Sequence, residues 1–173
     1  MKERILTSLL TVFVISGIQA QAPSPVPRLV VGLTIDQLRA DYIEAFSALY
    51  GERGFKRLLK EGRIYTNAEY DFINVDRSSA TASIYTGTTP YYNGIPSNRW
   101  MDRGSLRIIK SVDDQDFMGV YTSESSSAKL LRCSTLSDEL KVATQGRAEV
   151  YSIAPTREMA ILAAGPAANG AFW

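Results

Sequence analysis

Two short stretches carry side chains able to do chemistry. The first ends at Asp36, directly after the continuous apolar run Leu29-Val30-Val31-Gly32-Leu33-Thr34-Ile35. In α/β sheets ligands gather at the carboxyl ends of the strands, and a carboxylate there is a hard-oxygen ligand for a divalent metal. The same residue type equally serves as the N-cap of a following helix. The second stretch is Asp76-Arg77-Ser78-Ser79. By residue type alone it reads as a plain helix start, capped by Asp76 or Ser78. Histidine is absent, and Cys133 is the single cysteine, so no internal disulfide can form.

These residues need elements to position them. The run before Asp36 lacks alternation, which fits a strand buried on both faces of a parallel sheet. Residues 37–49 and 54–60 carry helical spacing; Phe55, Leu58 and Leu59 share one face, and Gly62 is a stop signal. Residues 63–72 read as a strand, and 78–85 as a small-residue helix that ends at Gly87. Thr135 with Asp138 forms a capping pair that opens a helix through Val142, closed by Gly146. Residues 149–154 read as a strand and 156–164 as a helix, with a polar loop at 123–127. Strand and helix patterns alternate, which predicts a three-layer α/β/α fold with a mostly parallel central sheet. Gly170-Ala171-Phe172-Trp173 is apolar and carries no stop signal, so the sheet is expected to be incomplete.

The chain opens with Lys2 and Arg4, then the apolar run 5–18, then Ile18-Gln19-Ala20. That order predicts a secretory signal peptide over 1–20, cut after Ala20, and a periplasmic or secreted protein. The run is shorter than the roughly 20 apolar residues of a membrane span, so no anchor is expected once the signal is cut. Residues 21–28 form a proline-rich linker, and 29–173 hold one α/β domain. Of the 173 residues, 45% are hydrophobic and 21% charged, an ordinary globular composition. A net charge of +1 gives no footprint of a nucleic acid or an anionic membrane as partner.

Several motifs resemble the alkaline phosphatase superfamily, in particular its type I phosphodiesterase/nucleotide pyrophosphatase branch. Val31 to Tyr42 resembles the opening of that family: apolar strand, Asp36-Gln37, Leu38-Arg39, then Asp41-Tyr42. Gly54 to Gly62 is similar to its next helix. Ile84-Tyr85-Thr86-Gly87-Thr88-Thr89-Pro90, followed by Asn93-Gly94-Ile95, resembles the turn after its nucleophile helix. Asn98-Arg99-Trp100 resembles the segment with a phosphate-contacting Asn, and 150–173 a later block. The order of these matches is more specific than any one of them. The resemblance implies a metal-dependent phosphoric ester hydrolase acting on a small-molecule phosphate ester. A hydroxyl at a helix N-terminus attacks beside two zinc ions, which clamp the attacking and leaving oxygens. It makes Asp36 a metal ligand and Asn98 a phosphate contact.

The chain also departs from the pattern. Counting back from Gly87, the position of the family nucleophile falls on Arg77, a permanent cation that can neither attack phosphorus nor ligate zinc. The nearest hydroxyl is Ser78. Three readings follow: Ser78 is the nucleophile; the site is degenerate and binds only, with Arg77 holding an anion in an exported binding or assembly module; or the stretch is a simple cap. The Lys-Asp-Arg triplet of monoesterase relatives is replaced by Thr156-Arg157-Glu158, leaving only Arg157, displaced by one place. The His that commonly follows the family's Ala-Gly pair is Pro166 here. The resemblance places the family's remaining zinc ligands, Asp and His residues, well downstream, so two zinc ions are expected in the full-length protein and this chain by itself is expected to lack most of their ligands.

Overall fold

The computed structural model describes residues 27–173. The export signal expected at 1–20, and all of the expected linker except Pro27 and Arg28, lie outside them. Two units are distinguished, Met1–Thr34 and Ile35–Trp173. In the first, residues 27–34 are irregular and exposed, so the strand expected over 29–35 does not form. A strand is held by a ladder to a neighbour. Among the described residues no strand pairs with this run, and Leu29 and Leu33 are each 79% exposed.

In the second unit, helix α1 (Ala40–Ala45) leads into a 3-10 turn at Ser47–Leu49, and α2 spans Phe55–Glu61. The helix expected from residue 37 starts later because Gln37 adopts a left-handed φ of 60°, which an α-helix cannot contain. The Phe55, Leu58 and Leu59 face of α2 holds no buried residue. Residues 63–72 are irregular, not the expected strand, and again no ladder partner is present among the described residues.

Helix α3 (Arg77–Thr86) has a clear local origin. Asp76 caps it by accepting the Ser79 N–H, while the Ser79 hydroxyl accepts the Asp76 N–H, so orphan donors at the helix start are satisfied reciprocally. Gly87 ends it at φ 67°, the left-handed conformation glycine adopts without a Cβ penalty. A short α4 (Pro90–Asn93) follows. Two antiparallel pairs come next: β1 (Arg99–Asp102) with β2 (Arg107–Lys110), and β3 (Asp113–Met118) with β4 (Ser125–Ser126), the latter with a register irregularity. The stretch expected as a polar loop at 123–127 therefore contains a strand.

Helix α5 (Leu136–Ala143) is capped by Thr135 and Asp138 as expected. Strand β5 (Tyr151–Ile153), helix α6 (Arg157–Ala164) and strand β6 (Gly170–Phe172) form a β-α-β unit. The strands pair in parallel, Tyr151 opposite Gly170 and Ile153 opposite Phe172. Parallel neighbours need a crossover, which α6 supplies. The fold is α/β.

Helix α3 packs on α6, and this contact holds the core. Ala82 of α3 meets Ile161 and Leu162 of α6, joined by Ile95, Val112 and Ala128, with Trp100, Leu130, Leu131 and Ala171 packed around them. Small side chains on α3 allow the two helices to approach. The start of α3 is thereby held on a buried scaffold, although the helix is rich in hydroxyls.

Candidate functional site

The residues expected to do chemistry gather around the first turn of α3. Ser78 is fully buried there, while Arg77 beside it points outward with its side chain 58% exposed. Arg77 Nε donates to Asp36 Oδ2 at 2.9 Å. Asp36 thus sits at the head of α3, brought there by the turn through Gln37.

On the buried side, Ser78 Oγ donates to Asn98 Oδ1 at 3.3 Å and lies 3.2 Å from Ser111 Oγ. Asn98 is fixed from the other direction by Asp76, whose Oδ2 accepts the Asn98 N–H at 2.6 Å and the Ser97 hydroxyl at 2.8 Å. One carboxylate therefore both caps α3 and anchors the loop bearing Asn98. Burial alone would raise the Asp76 carboxyl, but hydrogen bonds from Ser79, Asn98 and Ser97 outweigh it and hold the group below the usual carboxylate range.

A group whose folded pKa is depressed contributes stability above its unfolded value, and that stability is lost as pH falls through the folded value. We expect Asp76→Ala to cost about 2 kcal/mol at neutral pH, from a lost cap and hydrogen bonds to a charged acceptor. Thermal melts of both proteins down the acid range check this. The gap should narrow below about pH 4, the ordinary carboxylate value; a constant gap would contradict the assignment.

The structure brings the expected site residues together in two pairs on one helix turn, Asp36 with Arg77 and Ser78 with Asn98. It does not bring in Arg157. That guanidinium, with its side chain only 10% exposed, pairs with Asp113 at 2.6 Å and Glu124 at 3.6 Å. It holds the β3–β4 pair to α6 and is not placed with Arg77. Sequence reasoning missed Ser111 and Tyr70. Ser111 lies 33 positions from Ser78, with no local signal linking them. The pKa of the Tyr70 hydroxyl is pushed up by burial and, to a lesser extent, by the Asp36 carboxylate.

Chemically, the head of α3 combines a guanidinium, a side-chain amide, a hydroxyl and the positive end of a helix. Asp76 already takes the Ser79 N–H, and the helix dipole still favours an anion at this end. This is the equipment of an oxyanion site.

A family model described as type I phosphodiesterase / nucleotide pyrophosphatase matches residues 30–161. The chain belongs to that family. Among curated relatives of this phosphodiesterase-family chain, alkaline phosphatase PhoV of Synechococcus elongatus is 41% identical over 150 residues, covering 85% of this chain and 27% of that protein. Alkaline phosphatase PafA of Elizabethkingia meningoseptica is 36% identical over 172 residues, covering 95% of this chain and 32% of that protein. The crystal structure of wild-type PafA superposes with a TM-score of 0.83 at 33% sequence identity, over 88% of this chain and 30% of that one. The chain thus spans about a third or less of the length of these relatives.

Proposed function

We propose that the protein acts on phosphoric esters of small molecules, as a phosphatase or phosphodiesterase, and holds the phosphoryl group at the head of α3. The observation that carries this is the convergence of Asp36, Arg77, Ser78 and Asn98 on one helix start in a chain of this family. Arg77 supplies a permanent cation, Asn98 an amide, and α3 the positive end of its dipole, which together stabilise an anionic phosphoryl group. We further propose that β5 and β6 belong to the parallel sheet of a three-layer α/β/α architecture. We propose export to the periplasm or beyond through residues 1–20; among the described residues no helix is long and apolar enough to cross a membrane.

The two zinc ions implied by the resemblance do not fit the residues present. Asp36, the one ligand the resemblance places in this chain, is already bonded to Arg77; the resemblance places the other ligands downstream, and the chain spans about a third or less of its relatives' length. Among the described residues no group of three or more His, Cys, Asp or Glu side chains could hold a metal. A stable zinc site uses about four ligands. No step is therefore routed through zinc. Ser78, the candidate nucleophile, would have to exchange its hydrogen bonds to Asn98 and Ser111 before reaching a phosphorus atom, because its hydroxyl is buried.

A second reading is favoured by the Arg77–Asp36 contact: a family member that holds the phosphoryl group without cleaving it. Turnover of aryl phosphates and aryl phosphodiesters by the full-length protein tests the first reading. Hydrolysis that Ser78→Ala lowers by about a thousandfold or more, as loss of a nucleophile does, would establish it. Phosphate binding with no turnover above the uncatalysed rate would establish the second.

A further inference from the structure

Arg77 stands where the resemblance places a nucleophile, and Asp36 where it places a metal ligand. The structure joins these two residues to each other, Nε to Oδ2 at 2.9 Å. A divalent cation on Asp36 would share that carboxylate with a permanent cation at hydrogen-bond range, and like charges that close repel. Among the described residues, Asp36 is the ion-pair partner found for Arg77. The contact uses Nε alone. It leaves the two Nη groups as a planar fork, the geometry that matches two oxygens of a phosphate. With its side chain 58% exposed, the guanidinium is reachable from solvent. Asn98, anchored through its backbone by Asp76, accepts a hydrogen bond from Ser78 of the same helix turn.

We propose that Arg77 takes the place of a metal at this site: Asp36 orients the guanidinium, and the guanidinium holds a phosphoryl dianion with no metal required. Asp36 is then a positioning residue, not a metal ligand. The inference rests on the reading that the head of α3 receives a phosphoryl group.

The test is calorimetric titration of the full-length protein with inorganic phosphate, and separately with phenyl phosphate, in EDTA and again with added zinc. Zinc content is followed by elemental analysis. We expect at least one of the two anions to bind with the same affinity in EDTA and in zinc. Arg77→Ala should weaken that binding about tenfold or more, since it removes a charge-assisted bidentate contact. Arg77→Lys should fall between, keeping the charge and losing the fork. Asp36→Asn should retain binding in EDTA within a few-fold, because the cation remains. Melting curves of the variants should match the parent, as the pair is exposed. Binding that vanishes in EDTA and returns with zinc, or that Asp36→Asn abolishes, would overturn the inference while leaving the phosphoryl site standing. Binding of neither anion in either buffer would overturn both.

Discussion

Gly165→Ala should destabilise the protein by about 3–5 kcal/mol, combining backbone strain with overpacking. Gly165 ends α6 at φ 80° and ψ 170°, a region essentially reserved for glycine. A Cβ placed there would lie 2.3 Å from Thr135 Oγ1 and 2.8 Å from Asp138 Oδ2. Those atoms form the cap of α5, which cannot simply move away. Thr135 is fully buried, and Asp138 accepts hydrogen bonds from Thr135 and from the Ala167 N–H at 2.9 Å. The methyl group would therefore separate α5 from the end of α6. Urea unfolding of the full-length protein measures the change; a loss below about 1 kcal/mol would contradict the described packing.

Leu162→Ala is the other large effect, about 2–5 kcal/mol. Leu162 is fully buried within the cluster that joins α3 to α6. Truncation loses its burial and leaves a cavity that small neighbours such as Ala82 and Ala128 cannot fill. Because this contact seats α3, the same variant should loosen the site as well as the fold. A melting temperature lowered by several degrees, with weakened phosphate binding, is expected. A silent substitution would mean that the α3–α6 contact does not support the site.

What could be read from the sequence was what is locally encoded. The cap at Asp76, expected as Asp76 or Ser78, the capping pair Thr135–Asp138, the stop at Gly87 and the β5–α6 succession each depend on neighbours a few positions away, and the structure has them; the reciprocal partner Ser79 was not read. The strands expected over 29–35 and 63–72 needed partners, and among the described residues none pairs with them. The antiparallel pairs over residues 99–126 went unread: their strands are short, and β3 opens with Asp113-Asp114-Gln115-Asp116, which carries no apolar pattern. The site shows the same division. Asp36, Arg77, Ser78 and Asn98 were legible from motif order. Their pairing was not: it joins residues 41 positions apart in one case and 20 in the other. Nor could the sequence show that Arg157 would be drawn to Asp113, 44 positions away.

The most direct test is a crystal structure of the full-length protein grown with inorganic phosphate. The anion is predicted at the head of α3, with phosphate oxygens about 3 Å from the Arg77 Nη groups and Arg77 Nε still on Asp36. Phosphate bound elsewhere, with Arg77 on Asp36 and no anion beside them, would contradict the assignment of this helix start as the phosphoryl site.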